Sequence, residues 1–260
     1  GFNSIPSWLR PYHVLSNGEQ FRARLARQLD SNIVVDEFTS VIDRDVAKSC
    51  SNAISRYVKR HNLRNIVFSS CHYDIIEWLQ PDWVFDTHTG KLTTRGYQRP
   101  DIVLEILPCT RDIWTIFSDH HYLDHHIHTS ASCWIATWND RLVGFLSSLS
   151  MPSGSLKKAW RGHRTVVLPE FQGLGIGARL TDALGDIHLA EGKRYFTKTG
   201  HPRLGEYRNR SEKWRGTSKN GISRPDYKTT FGGFADGKDR HMNRVCYSHE
   251  YIGACSDKHK

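Results

Sequence analysis

Three glycines within five residues constrain this chain most strongly, because they lie between a strand-like and a helix-like run. The segment Gln172-Gly-Leu-Gly-Ile-Gly177 follows the apolar run His163–Leu168 and precedes the amphipathic run Ala178–Glu191. Glycine has no Cβ, so successive backbone N–H groups can approach an anion closely. The N-terminus of the following helix adds unpaired donors and a favourable dipole. The pattern predicts a strand–loop–helix anion site; the alternative is a glycine turn that only tightens strand–helix packing.

Composition places the chain among folded proteins. Of its 260 residues, 38% are hydrophobic and 24% are charged, which excludes the disordered class. The length is typical of two small domains or one large one. No run approaches the roughly 18 uncharged apolar residues of a membrane span, and no segment resembles a signal peptide. The six cysteines form no C-x-x-C pair, so we expect reduced thiols, a cytoplasmic location and no membrane partner.

Positive charge is concentrated towards the end of the chain. Residues 191–260 carry 16 Lys and Arg against 8 Asp and Glu, whereas residues 101–190 carry 7 against 9. Basic side chains interleaved with aromatic ones are typical of surfaces that bind phosphates and stack on bases. The region therefore predicts a nucleic-acid contact, with a solvated basic face as the alternative. The candidate residues are Arg208, Arg210, Trp214 and Arg215.

Hydrophobic periodicity predicts alternating helices and strands in the first part of the chain. Helix, strand, helix and strand follow one another, and the last three form a βαβ unit. Turn and charged residues from Thr87 to Pro100 break the pattern and predict a linker. We accordingly expect domains over residues 1–95 and 96–260, with a basic extension from about residue 200. The four predicted elements are Glu19–Leu29, Asn32–Asp36, Asp45–His61 and Asn65–Ser69.

The second part of the chain predicts a domain of the α+β class, with strands that follow one another and helices between them. The segment Asn139-Asp-Arg141 separates two strand-like runs and is a hairpin signal. The predicted helices are Arg111–Leu123 and Ala178–Glu191. The predicted strands are Asp101–Leu107, Ser132–Trp138, Leu142–Ser150, His163–Leu168, Arg194–Thr199 and Arg244–Ile252.

Four short motifs follow one another in the first part. Leu15-Ser-Asn-Gly-Glu-Gln20 precedes a helix, Asp36-Glu37 ends a strand, Ser40-Val-Ile-Asp43 comes next, and His72 follows the second strand. Each motif alone is more typical of ordinary solvated structure. In this order and spacing, they resemble the second half of an ABC-type ATPase.

The resemblance to ABC-type ATPases implies nucleotide-binding roles for these motifs. The serine-glycine signature would offer the N–H groups of a helix N-terminus to a terminal phosphate. Asp36 would hold Mg²⁺, and Glu37 would polarise the attacking water. Asp43 would lie at a dimer contact, and His72 would contact the γ-phosphate. The signature residues are Ser16, Asn17, Gly18 and Glu19.

The first part also departs from that family. No G-x-x-x-x-G-K-[ST] sequence occurs in the chain, so the loop and lysine that cradle ATP phosphates are missing. The chain begins at Gly1 and leads directly into the first motif, so we expect a fragment of a longer ATPase fusion. An upstream ATPase half or a second copy of the chain would be needed to bind ATP and Mg²⁺. We expect no ATP hydrolysis by this chain alone.

The glycine loop resembles the Q/R-x-x-G-x-G/A loop of the GNAT N-acetyltransferases. It lacks the G-x-G-x-x-G spacing of dinucleotide-binding folds. The resemblance covers about residues 101–200 and implies a GNAT acyltransferase fold with acetyl-CoA as cofactor. The loop would bind the pyrophosphate, and the preceding strand would pair with the pantetheine amides. The residues so assigned are Val166, Val167, Leu168, Gln172, Gly173, Leu174, Gly175, Ile176, Gly177 and Ala178.

Acetyl transfer needs a base for the amine and an acid for the departing thiolate. His163 lies on the strand before the loop, and a satisfied histidine is its alternative interpretation. Tyr207 is a candidate acid. The histidine-rich run His120–His128 suits a metal, but no third ligand follows at a suitable spacing, so we expect no metal. Further candidates, placed where the family binds its acceptor, are Asp119, His120 and His121.

An ABC-type segment followed by a GNAT domain resembles a prokaryotic or phage family in which the two are fused. This implies an acyl-CoA-dependent N-acetyltransferase with an unknown amine acceptor, whose incomplete ATPase segment has a regulatory or assembly role. An alternative is a phage or prokaryotic nucleic-acid-binding or DNA-modifying protein that uses the GNAT fold. A third hypothesis is an ATP-switched interaction module with an inactive acetyltransferase domain. Acetyl-CoA affinity separates the first from the third, and salt-dependent DNA binding separates the second from both.

Overall fold

The computed structural model describes residues 10–94, 96–121, 125–223 and 245–253. The helices are α1 (Asn17–Gln28), α2 (Arg44–His61), α3 (Ile76–Leu79), α4 (Trp114–Phe117), α5 (Ile176–Ala190) and α6 (Pro202–Arg210). The first six strands are β1 (Ile33–Val35), β2 (Ile66–Phe68), β3 (Trp83–Asp86), β4 (Lys91–Thr94), β5 (Glu105–Cys109) and β6 (Ser132–Trp138). The others are β7 (Arg141–Ser150), β8 (Ala159–Val167), β9 (Arg194–Thr199), β10 (Trp214–Gly216), β11 (Ile222–Ser223) and β12 (Val245–Tyr251). Short 3-10 turns lie at Tyr12–Val14, Tyr73–Ile75, Arg111–Ile113, Ser118–His120 and Pro169–Phe171.

Residues 10–94 form an N-terminal unit built on the predicted βαβ arrangement. Strands β1 and β2 pair in parallel, with Ile33 opposite Ile66, and α2 connects them. Helix α2 begins where the Asp43 side chain accepts a hydrogen bond from the N–H of Asp45, a normal N-cap. Phe38 is fully buried between α1 and α2, in an apolar core that belongs to this unit. The prediction of a parallel pair joined by a helix is therefore confirmed.

The predicted linker is wrong over its first residues, because they form a hairpin. Strands β3 and β4 pair antiparallel from Trp83 with Thr94 to Asp86 with Lys91. The Asp86 carboxylate accepts hydrogen bonds from the N–H groups of His88 and Thr89, at 2.9 and 3.3 Å. Such local bonds make Asp a turn-forming residue. The turn residues in this segment therefore close a tight turn.

One mixed sheet forms the larger part of the molecule. Its strands lie in the order β10-β12-β9-β8-β7-β6-β5, and β11 pairs with β12 off this path. Its neighbours are antiparallel except for β8 and β9. Helix α5 packs against β7, β8 and β9, while α4 packs on β7 in a separate apolar cluster with Phe145 and Val166. The predicted α+β class is confirmed.

The boundaries of several predicted elements differ from the structure. The strand expected from Asp101 begins at Glu105, and the helix expected from Arg111 is split into two 3-10 turns around the single α-turn of α4. Helix α6 and strand β10 were not predicted, because glycine and charged residues obscure their periodicity. The hairpin of β6 and β7 turns at Asn139 and Asp140, which both have positive φ, as the hairpin signal requires.

The main core lies between the sheet and the helices α5 and α6. Tyr195, Leu146, Leu180, Leu184 and Tyr251 are its most buried large side chains. Strand β12 carries Tyr251 into this core because it lies between β9 and β10. In the part of the chain that the structure describes, no helix has the length and apolar character needed to cross a membrane.

Substituting Gly185 tests the packing of α5 on β12. An added Cβ would lie 2.3 Å from Cδ1 of Tyr251, which is far inside contact distance. Without such a clash, a glycine-to-alanine change in a helix raises the free energy of unfolding by about 1 kcal/mol. The clash with Tyr251 therefore decides whether the substitution stabilises or destabilises the protein. We expect Gly185→Ala to lower the free energy of unfolding by about 1–3 kcal/mol in urea titrations.

The matched control for this substitution is Gly154→Ala, because an added Cβ there meets no atom within 4 Å. It should change stability by less than about 0.5 kcal/mol. Equal stability of Gly185→Ala and the wild type would contradict the close approach of α5 to β12.

Candidate active site

The glycine loop connects β8 to α5 in a conformation that requires glycine. Gly173 has φ +91° and Gly175 has φ +86°, which side chains with a Cβ rarely adopt. Gln172 ties the loop to the preceding strand, since its Nε2 donates to the carbonyl of Val167 at 2.8 Å. Near Gly175 an added Cβ would meet nothing within 4 Å. Backbone conformation, and not lack of space, is therefore the reason for glycine at position 175.

The N-terminus of α5 has the properties of an anion site. Gly175 is the N-cap residue and supplies no side-chain hydrogen bond, and the first turn contains no acidic residue. The N–H groups of a first helical turn have no partner within the helix, and the helix dipole favours a negative charge there. Leu174, Ile176, Gly177 and Ala178 belong to this turn and the loop before it, as the sequence predicted.

The strands beside this loop diverge and leave an opening in the sheet. Strands β8 and β9 pair over three residues only, ending at Arg161 with Phe196. Both strands continue, with β8 paired to β7 and β9 paired to β12 on their far edges. Among the described residues, the edge of β8 that faces β9 is therefore unpaired around Val166 and Val167. An extended ligand with amide groups can pair with such an edge.

A β-bulge lies in β8 next to this opening. The pairing with β7 joins Arg164 to Ser147 and Gly162 to Ser148, which leaves His163 without an opposite residue. Bulges often redirect backbone and side chains beside active sites. An added Cβ at Gly162 would lie 2.8 Å from Oη of Tyr195, so glycine there lets Tyr195 pack beneath the point of divergence.

His163 is fixed and neutral in this structure. Its Nε2 accepts a hydrogen bond from the backbone N–H of His128 at 3.2 Å. Burial, together with the charges of Arg164 and Arg161, lowers the pKa of His163 from 6.5 to about 4. A histidine with this pKa is a weak base at neutral pH. The hydrogen bond to His128 instead gives His163 a structural role, because it holds the segment around His128 over the bulge.

The histidine-rich segment lies on the face of the sheet that carries α4. Arg164 donates to the carbonyl of His126 at 3.0 Å, and the ring of His121 lies 5.7 Å from that of Trp114. Asp119 is exposed and lies 3.6 Å from Nδ1 of His125. His120 is exposed at the end of its 3-10 turn. Asp119 and His120 are therefore on the surface, whereas His121 lies close enough to His163 for its charge to help lower the pKa of His163.

No candidate metal centre is formed by three or more His, Cys, Asp or Glu side chains within the described ranges. Part of the histidine-rich run, residues 122–124, lies outside those ranges.

Tyr207 lies on the other face of the sheet and is bound to a buried carboxylate. Its hydroxyl donates to Oδ2 of Asp182 at 2.5 Å, and burial followed by Asp182 raises the pKa of Tyr207. Trp214 Nε1 donates to the other oxygen of Asp182 at 2.7 Å. Asp182 thus links α5, α6 and β10. As a thiolate acid, Tyr207 would act from within this network.

The predicted nucleic-acid surface is wrong for two of its four residues. Trp214 is 5% exposed and Arg208 is 2% exposed, with the guanidinium carbon 4.8 Å from the centre of the Trp214 ring. The two side chains stack on each other inside the molecule, since a cation packs well on an aromatic face. Arg215 is exposed but is bound to Glu250 at 2.7 Å, and Arg210 is exposed. Nucleic-acid binding stays a prediction that rests on Arg210 and Arg215.

Sequence reasoning missed a group of buried polar residues under α6. Within the described part of the chain, four buried atoms have no hydrogen-bond partner: Nδ1 of His249, Oγ1 of Thr197, and Nε and Nη1 of Arg208. Thr197 and His249 are opposite each other in β9 and β12. Burial lowers the pKa of Arg208 to about 10 and that of His249 to about 4. Their burial depends on β12 and α6, which charge and spacing alone did not indicate.

Two of the predicted nucleotide-binding motifs meet at the carboxyl ends of β1 and β2. Asp36 Oδ1 accepts from Ser69 Oγ at 2.6 Å and from the N–H of Glu37 at 2.9 Å. The Ser69 bond is the main cause that lowers the pKa of Asp36. His72 Nδ1 lies 3.3 Å from Oγ1 of Thr39. The structure therefore brings the acidic pair and His72 to one edge of this small sheet.

The other two motifs have local roles at helix N-termini. Ser16 and Glu19 form a capping box at the start of α1, which satisfies donors that a phosphate would otherwise use. An added Cβ on Gly18 would lie 3.4 Å from Ile42, so Asn17 and Gly18 lie beside the loop that leads to Asp43. Asp43 itself caps α2. These local contacts account for the residue types at the two motifs without any bound nucleotide.

The fold and loop geometry agree with a match to a known family. Residues 99–208 match the profile of the Acetyltransferase (GNAT) family, and this segment is a GNAT acetyltransferase domain. A search among curated proteins found no match.

Solved structures that are similar to part of this chain include acetyltransferases. An acetyltransferase of Bacillus subtilis in complex with CoA is 16% identical, with 58% of this chain and 98% of that chain covered and a TM-score of 0.38. A GNAT family acetyltransferase of Elizabethkingia anophelis with acetyl-CoA bound is 17% identical, with coverages of 56% and 94% and a TM-score of 0.38. An IAA acetyltransferase of Bacillus cereus is 16% identical, with coverages of 58% and 96% and a TM-score of 0.37.

The low pKa of His163 predicts a pH dependence of stability. The unfolded state takes up a proton near pH 6.5, whereas the folded state does so only near about 4. The contribution of the neutral ring is therefore complete above about pH 6.5 and is lost as the pH falls towards about 4. We expect His163→Gln, which keeps an acceptor for the His128 N–H, to reduce the loss of unfolding free energy between about pH 7 and pH 5. Urea titrations measure this; an unchanged pH slope would contradict it.

Proposed function

We propose that the protein transfers an acetyl group from acetyl-CoA to an amine acceptor. The observation that carries this proposal is the glycine N-cap of α5 at the mouth of the opening between β8 and β9. The pyrophosphate would bind the N–H groups of Leu174, Ile176 and Gly177. The pantetheine would then lie along the free edge of β8 at Val166, Val167 and Leu168.

The bulge at His163 indicates where the thioester of acetyl-CoA would lie. It lies where β8 and β9 diverge, so an acetyl group carried along β8 would reach it. A backbone N–H freed from the ladder by a bulge can stabilise the charge that develops on the thioester carbonyl oxygen. The acceptor amine would enter from the opposite face, past His121 and His128. These two rings lie beside His163, and we assign to them the path by which the proton of the amine would leave.

Proton transfer in this proposal depends on solvent-exposed groups and not on His163 itself. The Nε2 of His163 is occupied by the N–H of His128, and its pKa of about 4 makes it a poor acceptor of the amine proton. Asp119 and His120 are exposed and can pass a proton to water. Tyr207 stays the candidate donor to the thiolate, but its hydroxyl donates to Oδ2 of Asp182 and its pKa is raised, so this role requires the hydroxyl to turn from Asp182 to the sulfur.

Substituting Gly175 tests the proposed acetyl-CoA site. Its φ of +86° is unfavourable for a β-branched residue, so valine would rotate the backbone donors away from the pyrophosphate. We expect Gly175→Val to weaken acetyl-CoA binding at least about 100-fold in calorimetry, since several charge-assisted hydrogen bonds would be lost together.

Gly154→Val is the control, because an added Cβ at Gly154 meets no neighbour within 4 Å. It should bind acetyl-CoA as the wild type does. If a folded Gly175→Val protein bound acetyl-CoA with wild-type affinity, the loop would not be the pyrophosphate site.

We further propose that the edge formed by Asp36, Glu37 and His72 is an incomplete nucleotide site of the ABC type. The meeting of Asp36 with Ser69 and of Thr39 with His72 at the carboxyl ends of parallel strands supports it, because ligands of parallel sheets bind at that edge. The carboxylate of Asp36 suits Mg²⁺. An upstream ATPase half or a second copy would supply the phosphate loop.

The chain alone should not hydrolyse ATP, because its sequence contains no G-x-x-x-x-G-K-[ST] loop that would cradle the phosphates. A steady-state phosphate-release assay with Mg-ATP should give no rate above that of Glu37→Gln. Hydrolysis that disappears in Glu37→Gln would show that the site is complete without a partner.

A further inference from the structure

The surface of α2 that faces the acetyltransferase domain is polar and buried. Asp45 and Asn52 are two helical turns apart and so lie on one side of the helix. Asp45 forms an ion pair with Arg141 at the β6–β7 turn, and α2 packs against the turn Pro169–Phe171. This side therefore contacts the β6–β7 turn and the 3-10 turn that directly precedes the glycine loop.

Asn52 makes a direct hydrogen bond to the glycine loop. Its Nδ2 donates to the carbonyl oxygen of Gly173 at 3.2 Å, and the residue is 1% exposed. The partner atom is a carbonyl, so the amide nitrogen must face it. The amide oxygen Oδ1 is buried and has no hydrogen-bond partner among the residues that the structure describes. An orphaned oxygen of this kind costs free energy, so the Asn52 amide is not explained by stability.

The bond to Gly173 determines where the next N–H group points. The peptide group that joins Gly173 to Leu174 is planar and trans, so its C=O and N–H point in opposite directions. Since Asn52 binds the carbonyl on the side of α2, the N–H of Leu174 points away from α2. It is one of the donors assigned above to the pyrophosphate.

We propose that Asn52, which lies outside the acetyltransferase domain, is a positioning residue for the pyrophosphate of acetyl-CoA. It orients the Gly173–Leu174 peptide through its amide, while Gln172 anchors the same loop from within the domain. The N-terminal unit thereby becomes part of the cofactor site. This inference rests on the proposed acetyl-CoA function.

The test compares CoA binding and stability in the full chain. Asn52→Leu keeps the side-chain volume but removes both the donor and the orphaned oxygen, so the free energy of unfolding should stay the same or rise. Its dissociation constant for CoA should increase about five- to tenfold, as loss of one neutral hydrogen bond implies. Asn52→Ala is the second variant and should weaken CoA binding to a similar extent.

Ser55→Ala is the matched control. Ser55 is on the same helix, is 5% exposed and has an orphaned hydroxyl, and no hydrogen bond joins its side chain to the loop. Its CoA affinity should equal that of the wild type.

The outcomes separate this inference from the proposed function. Wild-type binding with a five- to tenfold loss in both Asn52 variants, and none in Ser55→Ala, supports the role of Asn52. Equal CoA affinity of the wild type and Asn52→Leu overturns it, as does an equal loss in Ser55→Ala, since general loosening of α2 would then be the cause. If the wild type itself bound no CoA, the proposed function would fail first.

Discussion

The opening between β8 and β9 depends on a stack of rings below the sheet. The imidazole of His188 stacks between Trp160 and Tyr195, with both ring centres at 5.1 Å. Its Nε2 lies 2.9 Å from Oγ of Ser148, which fixes the ring. Tyr195 then extends beneath Gly162, where no other residue would leave room for its hydroxyl. Parallel pairing ends at this point. The free edge of β8, to which we assign the pantetheine, is a consequence.

The N-terminal unit and the acetyltransferase domain share one continuous contact. Arg141 binds Asp45 of α2 and lies 5.5 Å above the ring of Phe171. Trp78 meets Trp138 edge to face at 6.0 Å. The contact therefore includes charged, aromatic and amide groups on both sides. It includes the 3-10 turn Pro169–Phe171, which directly precedes the glycine loop. A shift of α2 would therefore displace that loop first.

Sequence reasoning predicted the elements whose local signals and tertiary packing agree. The glycine loop, the parallel pair β1–β2 and the β6–β7 hairpin each combine a clear periodicity with the turn residues that the backbone requires. It failed where burial contradicts residue type. An arginine such as Arg208 is expected on the surface. It is instead buried against Trp214, because α6 and β10 cover both side chains.

The candidate catalytic residues show the same limit of sequence reasoning. The sequence indicated His163 because it lies on the strand before the glycine loop. Its hydrogen bond to His128 and its lowered pKa could not be foreseen, because they depend on contacts between residues that are 35 positions apart. Asn52 gave no signal at all, since its contact with Gly173 spans 121 residues. Contacts of this kind carry no local pattern from which they could be predicted.

Strand β12 has a consequence for the order in which the molecule can be assembled. It comes last among the described strands, yet it lies between β9 and β10 in the sheet. Until residues 245–251 have left the ribosome, β9 has a bare edge of unpaired N–H and C=O groups, and such edges recruit other chains. The buried ring of Tyr251 is also missing from the core until then. A nascent chain of this protein is therefore exposed to misassembly throughout the synthesis of the segment between β9 and β12.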